Sequence, residues 1–318
     1  MKILKKKIKN ILYKKKRQLY NSPYNKFKKV LWEDNVDNLY YGHYQILKKY
    51  SETKLPYKIN GEVQHGWSPT SGITSEKSSI ESIKKNRFYL FNEENKIKAI
   101  NAGYKNVVSI GSPFIYIENL KQNFLKKIPN SLICFPTHNH EWGGFKDTLK
   151  SYHKYCNNLL KISKNFKKIT ISLFWKEYED SNIKKVFKDH GFSIVTMGPR
   201  DNNPNFLHRF VKIVSEHEYL SSDSFSSAVF YGLYLKKKVF IYSRLIYENE
   251  LWGKENENAE NDLIHYKMKY PELLWQNFED KSYYRIGEKE LGSKFKLSPR
   301  EMRKMFGWKI NKLFFKRI

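Results

Sequence analysis

A histidine and a glycine follow each other where a short apolar segment ends, in the run QHGWSP at residues 64–69. A histidine that titrates near neutral pH can take a proton from an attacking hydroxyl group, and glycine lets the backbone approach a ligand closely. We therefore predict that His65 is a general base. The alternative for His65 is a loop histidine that hydrogen-bonds only to backbone.

A second polar loop, FPTHNHEWGG at residues 135–144, joins a predicted strand to the helix after it. Thr137 and the N–H groups at the start of that helix can hold a phosphate oxygen, because these N–H groups are unpaired and lie at the positive end of the helix dipole. His138, His140 and Glu141 have the spacing of metal ligands, but no cysteine or further carboxylate completes the set, so we predict no metal. Glu141 is instead a candidate for a second general base.

The loop after a later strand carries Arg200 and Asp201 next to each other. The planar guanidinium of Arg200 suits a phosphate or a carboxylate. Asp201 can act on a substrate, or it can cap the helix that follows. Asp201 therefore joins His65 and Glu141 as a candidate catalytic residue.

A cluster of serines opens the helix predicted at residues 225–235 and includes Ser224, Ser226 and Ser227. Hydroxyl groups and free N–H groups at a helix start bind an anion without a lysine or a metal. The alternative is an ordinary serine N-cap.

Short apolar segments alternate with helical patterns along most of the chain. The predicted strands are 57–63, 88–91, 107–111, 131–136, 168–175, 192–198, 218–221 and 238–242, and the predicted helices are 29–50, 93–102, 145–166, 182–190, 205–215 and 225–235. This order predicts an α/β fold with two Rossmann-like halves, each a parallel sheet covered on both faces. Ligands of such sheets bind outside the carboxyl ends of the strands, where all four loops are expected.

The domain boundaries follow from the same alternation. We expect an amino-terminal domain at residues 1–127, a second Rossmann-like domain at 128–250, and a helical segment at 251–318 that packs back on the body. The acidic, asparagine-rich stretch 247–262 is expected to be a loop, and breaks are expected at Pro271 and Pro299.

Composition excludes several classes of protein. The chain has 318 residues, 40% hydrophobic and 16% aromatic, which is far more than a disordered chain carries. No apolar stretch reaches the roughly 20 residues of a membrane-spanning helix. The two cysteines cannot form a disulfide framework, so a reducing, cytoplasmic location is expected.

The net charge of +27 is concentrated at the two ends of the chain. Residues 2–29 contain no acidic residue and carry apolar residues at helical spacing, and residues 308–318 interleave aromatic with basic residues, beginning at Trp308. Both ends are predicted to be basic amphipathic helices that bind an anionic membrane surface. The alternatives are terminal helices that pack on the body and a groove that binds nucleic acid.

Three motifs together resemble a known group of transferases. The tract at residues 223–242 resembles the diphosphate-binding segment of GT-B transferases of the CDP-glycerol polyol-phosphate type, and its serine pair is similar to the Ser/Thr motif of bacterial sialyltransferases. His65-Gly66 resembles the His-Gly loop of the polyol-phosphate group, whose histidine is the base, and Pro136-Thr137 stands where that group has its Pro-Thr. Trp67 departs from the small polar residue usual there, and the His-Pro dipeptide of sialyltransferases is absent.

The resemblance implies a GT-B fold, with two Rossmann-like domains facing a central cleft. It implies a glycosyltransferase of bacterial surface polysaccharide synthesis, which moves a sugar or polyol phosphate from a CMP-, CDP- or UDP-linked donor to a saccharide or lipid-linked acceptor at the inner face of the membrane. The expected donor-binding residues are Thr137, His138, Arg200, Ser224, Ser226 and Ser227. No metal or cofactor is expected, because such transferases do not need a D-x-D pair and this sequence has none; the displacement is expected to be inverting. The alternative function is a nucleic-acid-binding protein without catalysis.

Overall fold

The protein is a mixed α/β chain built on two parallel sheets. The computed structural model describes residues 33, 35–53, 57–68, 73, 86–118, 128–139, 147–201, 203–243 and 264–308. The first sheet has the order β1-β2-β3, with β1 Glu62–Val63, β2 Arg87–Leu90 and β3 Asn106–Ser109. The second has the order β6-β5-β4-β7-β8, with β4 Ile128–Phe135, β5 Lys168–Leu173, β6 Ser193–Thr196, β7 His217–Ser222 and β8 Lys238–Ile241. The strand pairs of both sheets are parallel, as the alternating pattern predicts.

Helices connect the strands. They are α1 Val36–Leu39, α2 His43–Tyr50, α3 Glu93–Asn101, α4 Thr148–Ile162, α5 Trp175–Glu179, α6 Ser181–Asp189, α7 Phe206–Ser215, α8 Ser227–Tyr234, α9 Tyr284–Glu290 and α10 Pro299–Met305, and residues 264–269 are also helical. Local signals set several starts, because the side chains of Asn92, Asp147 and Asp180 accept N–H groups in the first turns of α3, α4 and α6.

The second sheet has a topological switch point between β4 and β7. From β4 the chain runs outward through β5 and β6 on one side and then crosses to β7 and β8 on the other. The loops that leave β4 and β7 at their carboxyl ends therefore diverge and open a crevice between them. This crevice contains two of the loops that the sequence marks.

The first half of the chain differs from the prediction at one place that matters for the site. The helix predicted at 29–50 is interrupted by a 3₁₀ turn at Tyr40–Gly42, where Tyr41 has φ 56° and Gly42 has φ 78°. A left-handed backbone cannot continue a right-handed α-helix. A Cβ on Gly42 would lie 2.9 Å from the carbonyl oxygen of Asn203, so the turn packs closely against the loop after β6.

The carboxyl-terminal residues 264–308 pack against both sheets. Leu274 forms a bridge with Ile241 at the end of β8, and the carbonyl of Leu291 accepts the N–H of Ser112 after β3 at 2.9 Å. The segment consists of short helices, with Pro271 opening a 3₁₀ turn and Pro299 in the first turn of α10.

Trp308 is the first residue of the predicted membrane-facing carboxyl-terminal helix. At this residue the prediction is wrong, because the side chain faces the protein interior. The ring of Trp308 is buried, and its indole N–H donates to the carbonyl of Lys58 at 2.9 Å. Trp308 therefore belongs to the core. The rest of both predicted basic helices, residues 1–32 and 309–318, lies outside the described residues, as do the predicted loop 247–262 and Glu141. Within the described part of the chain, no helix is long and apolar enough to cross a membrane.

The two sheets fall on either side of the predicted boundary at residue 127. The predicted domain limits themselves stay a prediction. Both cysteines, Cys134 in β4 and Cys156 in α4, are buried and free, and they pack together in the core between that helix and the second sheet.

Candidate functional site

A cavity of about 460 Å³ lies at the carboxyl edge of the second sheet. Its wall is formed by residues that follow β4, β5, β6 and β7, and by Tyr41 and Trp67 from the amino-terminal half of the chain. The volume is typical of small-molecule sites, and the place is the switch point at which doubly wound sheets bind ligands. Among the described residues, the wall contains one arginine and no aspartate, glutamate or lysine. The cavity is therefore suited to an anion with a substantial apolar part.

The serine cluster forms one side of the cavity, at the start of α8. Ser224, Ser226 and Ser227 all line it. Ser226 is the N-cap of α8, and its side chain makes no capping hydrogen bond. The first N–H groups of a helix have no partner within the helix and lie at the positive end of its dipole. This helix start can therefore donate hydrogen bonds to an anionic ligand.

The side chain of Ser227 is hydrogen-bonded to the backbone of Trp67, a contact that its sequence position does not predict. Its Oγ accepts the N–H of Trp67 at 2.9 Å and donates to the carbonyl oxygen of Trp67 at 3.1 Å. The single hydroxyl proton of Ser227 is thereby used. Ser227 connects the serine cluster with the His-Gly loop, and what it offers to a ligand in this arrangement is its backbone N–H.

Thr137 lines the cavity but is held by a buried carboxylate. Oδ1 of Asp223 accepts both the N–H of Thr137 at 2.7 Å and its hydroxyl at 3.0 Å. A hydroxyl has one proton to donate, so Thr137 cannot give the same proton to a phosphate while Asp223 holds it. Asp223 is almost completely buried and fixes the loop after β4 to the loop after β7.

His138 is also part of the wall and stacks on Phe174, with the ring centroids 4.4 Å apart and the planes at 11°. Its Nδ1 lies 2.8 Å from the carbonyl oxygen of Asn139, which can only accept, so Nδ1 carries the proton. Glu177 on α5 supports this wall, because its Oε1 accepts the N–H of Asn139 at 3.0 Å and the hydroxyl of Tyr152 at 2.7 Å. Burial raises the pKa of the Glu177 carboxyl to about 7.

Arg200 is the cationic group of the wall and lies against the Tyr40–Gly42 turn. Its carbonyl accepts the N–H of Tyr41 at 2.8 Å, and its guanidinium carbon lies 5.1 Å from the centre of the Tyr40 ring. Burial raises the pKa of the Tyr41 hydroxyl, and the neighbouring Arg200 guanidinium acts in the opposite direction. Asp201 is an exposed residue whose Oδ1 lies 3.6 Å from Nε of Arg200.

His65 lies behind Tyr41 and is not part of the cavity wall. Its Nε2 is 3.2 Å from the hydroxyl of Tyr41, and its Nδ1 is 3.6 Å from Oδ1 of Asp37. The ring of Tyr40 packs edge-on against the imidazole, with the centroids 4.1 Å apart. His65 therefore stands one side chain away from the described cavity wall, and its role as the base stays a prediction.

The His-Gly loop is held on both sides of His65. Oε1 of Gln64 accepts the N–H of Phe91 at 3.0 Å, and its amide donates to the carbonyl of Gly66 at 2.8 Å. A Cβ on Gly66 would lie 3.0 Å from Oγ of Ser227 and 3.7 Å from the Tyr41 ring, so glycine allows this close packing. Trp67 is anchored further along, where its indole N–H donates to Oε2 of the buried Glu290 at 2.8 Å.

The structure thus brings together most of the residues that the sequence marks. All six predicted donor-binding residues line the cavity, namely Thr137, His138, Arg200, Ser224, Ser226 and Ser227. Among the predicted catalytic residues, His65 is one side chain removed from it and Glu141 is outside the described residues. Asp201 is not in the wall, and α7 starts after Asn205, whose side chain makes no capping hydrogen bond.

Sequence reasoning missed Tyr41, Asp37 and Trp67 as parts of the site. Trp67 follows His65 by two positions, but no pattern in the neighbouring sequence indicates that its backbone contacts α8. Tyr41 and Asp37 lie in a segment with a continuous helical pattern, and only the left-handed backbone at Tyr41 turns its side chain toward His65. The Tyr40-Tyr41-Gly42 sequence is the one available signal, because a glycine after two aromatic residues interrupts the helix.

Fold and cavity together define a parallel α/β protein with a cavity at the switch point of its second sheet. No family model and no curated protein matches the chain. Solved structures that match include a glycosyltransferase from Rickettsia africae ESF-5, at TM-score 0.38 and 11% identity over 76% of this chain and 69% of that one. Another is MnaA from S. aureus in a co-structure with UDP, at TM-score 0.37 and 11% identity over 70% of this chain and 60% of that one. These likenesses are too distant to assign a family.

Proposed function

We propose that the protein is a glycosyltransferase that uses a nucleotide-activated donor. The observation that carries this proposal is that one cavity collects Arg200 and the five other donor-binding candidates, two of them at the start of α8, without any carboxylate in its described wall. A nucleotide-linked sugar has the matching chemistry, with an anionic phosphate between two larger groups.

The leaving phosphate is the group that these residues would stabilise. Arg200 supplies a positive charge, and the N-terminus of α8 supplies backbone N–H groups and a favourable dipole. Donors aimed at the charge that develops on a leaving group favour the transition state over the ground state. The aromatic wall at Phe174 and Trp175 gives the base or the sugar an apolar surface to pack on.

The finer parts of the proposal follow the resemblance of the motifs. We assign the two sheets to a GT-B arrangement, because Tyr41 and Trp67 of the first half line the same cavity as the loops of the second. The reaction is proposed to be an inverting displacement without a metal or cofactor, in agreement with the absence of a D-x-D pair from the sequence. The acceptor is proposed to be a surface polysaccharide or a lipid-linked saccharide, which the basic chain ends reach at the inner face of the membrane.

The test of donor binding is thermal unfolding of the full chain with a panel of nucleotides and nucleotide sugars. The panel contains CMP, CDP, UDP, their sugar-linked forms, the purine equivalents and the nucleosides. A ligand at 100 times its dissociation constant stabilises the folded state by about 2.7 kcal/mol. We expect a cytidine or uridine nucleotide to raise the unfolding temperature and its nucleoside to do so much less. No shift with any nucleotide at millimolar concentration contradicts the proposal.

The nucleic-acid alternative is separated by a second measurement. A strand-binding groove is lined with basic and aromatic residues, whereas the described wall of this cavity has no lysine. We expect a random oligonucleotide to bind only through the basic ends, so its affinity disappears when residues 1–29 and 309–318 are deleted. Salt-sensitive binding that survives both deletions favours the alternative.

A further inference from the structure

Tyr41 contacts His65 through its hydroxyl and is also a residue of the cavity wall. Tyr41 lines the cavity, whereas His65 does not, and the Tyr41 hydroxyl lies 3.2 Å from Nε2 of His65. On the far side of the imidazole, Oδ1 of Asp37 lies 3.6 Å from Nδ1. The three side chains therefore form a line of carboxylate, imidazole and hydroxyl whose last member belongs to a residue of the cavity wall.

The direction of the hydrogen bond between Tyr41 and His65 follows from the carboxylate at the other end of this line. A carboxylate can only accept, so the proton of a neutral His65 is expected on Nδ1, facing Asp37. Nε2 is then an acceptor, and the Tyr41 hydroxyl donates to it. This is the order of groups by which an imidazole, oriented by a carboxylate, activates a hydroxyl.

Among the described residues, Asp37 is the one that forms an ion-pair contact with His65. Tyr40 packs against the imidazole, and His43 lies close enough to interact with it electrostatically. Burial lowers the pKa of His43 to about 3, so this second histidine is neutral and does not compete for the carboxylate. Arg200 lies beside the Tyr41 hydroxyl, where its charge stabilises negative charge on the phenol oxygen.

The backbone of Tyr41 has a left-handed conformation that a tyrosine rarely adopts, so contacts with the rest of the protein must hold its side chain beside His65. Its φ of 56° is unfavourable for a bulky residue, and such conformations persist where the surrounding structure fixes them. Here the N–H of Tyr41 is held by the carbonyl of Arg200 at 2.8 Å, and its ring packs 4.9 Å from that of Phe206. Both contacts come from the second half of the chain, so the hydroxyl is positioned by the same elements that form the cavity.

We propose that Tyr41 is the catalytic residue that takes the proton of the acceptor hydroxyl and that His65 acts through it, an inference that rests on the proposed transferase function. The acceptor O–H bond breaks and its proton passes to Oη of Tyr41, while the proton of Tyr41 passes to Nε2 of His65. The acceptor oxygen forms a bond with the donor carbon, and the bond from that carbon to the phosphate oxygen breaks with its electron pair leaving on the phosphate. The imidazolium is balanced by Asp37, which makes Asp37 and His65 positioning residues in this step.

The hydrogen-bond arrangement can be tested without any substrate. Long-range ¹H–¹⁵N spectra of the full chain, labelled at its nine histidines, report which ring nitrogen carries the proton, and His65→Gln assigns the signal. At a pH where His65 is neutral we expect the proton on Nδ1 and a change in the Nε2 shift in Tyr41→Phe. A proton on Nε2, or an Nε2 shift that Tyr41→Phe leaves unchanged, overturns the inference.

The kinetic test follows release of nucleotide from the nucleotide sugar that stabilises the wild type, with water as acceptor. In Tyr41→Phe we expect kcat to fall about 100-fold or more, the usual contribution of general base catalysis, with KM for the donor unchanged. Groups that act as a unit are not additive, so Tyr41→Phe/His65→Ala should be no slower than His65→Ala alone. Tyr44→Phe is the matched control, because it removes a hydroxyl of the same segment that donates to the carbonyl of Tyr57, away from the cavity.

The outcomes separate the two proposals. Wild-type kcat in Tyr41→Phe overturns the role of Tyr41 and leaves the transferase function standing. If the wild type neither binds a nucleotide nor releases one, the transferase function fails, and the histidine spectra still decide for or against the Asp37–His65–Tyr41 arrangement.

Discussion

The hydroxyl of Ser227 makes two hydrogen bonds with the backbone of one residue, Trp67, which is 160 positions earlier in the chain. Through this pair, the loop that carries His65 is fixed to the first turn of α8. Both loops were recognised separately in the sequence, but their direct contact is visible only in the tertiary structure. The structure makes Ser227 a connector and leaves Ser226, next to it, facing the cavity without a capping bond.

The two serines are therefore expected to respond differently to alanine. Ser227→Ala leaves the N–H and the carbonyl of the buried Trp67 without their partner, which should reduce the free energy of unfolding by about 1–3 kcal/mol. Ser226→Ala should change it by no more than about 0.5 kcal/mol, since no hydrogen bond is lost. Chemical unfolding without ligand measures both values. Equal destabilisation by the two variants contradicts the connector role of Ser227.

Gly66 should be coupled to Ser227. A methyl group on Gly66 would lie 3.0 Å from Oγ of Ser227, so Gly66→Ala must push the hydroxyl away from Trp67. We expect Gly66→Ala to destabilise the protein, and to do so less when Ser227→Ala is already present. The interaction free energy of this double-mutant cycle should be at least about 0.5 kcal/mol. If the free-energy changes of the two single variants simply add, Gly66→Ala does not act through the Ser227 hydroxyl.

Arg200 should discriminate nucleotides from nucleosides. In Arg200→Ala we expect affinity for the best nucleotide to fall about 10- to 100-fold, since a charge-assisted hydrogen bond contributes about 1.5–3 kcal/mol. Affinity for the corresponding nucleoside should stay the same. Titration calorimetry measures both, and Lys188→Ala, an exposed lysine on α6, controls for net charge. A parallel loss of nucleoside affinity shows that the Arg200 loop has moved.

Glu177 should make stability depend on pH in a defined direction. Burial raises the pKa of its carboxyl from 4.5 in the unfolded chain to about 7 in the folded one. The folded state then binds the proton more tightly, so the stability that this group contributes is complete below pH 4.5 and is lost as the pH rises to about 7.

The measurement compares the wild type with Glu177→Gln between pH 4.5 and pH 8. The difference in the free energy of unfolding, variant minus wild type, should increase with pH by an amount on the order of 1–3 kcal/mol. The comparison removes the contribution of Glu62, whose carboxyl pKa burial also raises to about 7. A difference that does not change over this range shows that Glu177 has an ordinary pKa.

The elements of the second sheet were predictable because their signals are local. Apolar strands, helix caps such as Asp180 and the serine start of α8 are encoded within a few neighbouring residues. The parallel order then follows from the alternation of strands and helices, and with it the edge where the loops must meet. For that reason Thr137, Arg200 and Ser226 could be placed near one another from sequence.

The sequence by itself determined the class of fold, the order of its elements and the loops at the carboxyl edge of the second sheet. The tertiary structure decided what each loop residue is bonded to, since Asp223 takes the Thr137 hydroxyl and Ser227 binds Trp67 over separations that no local pattern encodes. It also decided that Tyr41 stands between His65 and the cavity. That placement depends on a left-handed backbone that only packing against the Arg200 loop stabilises.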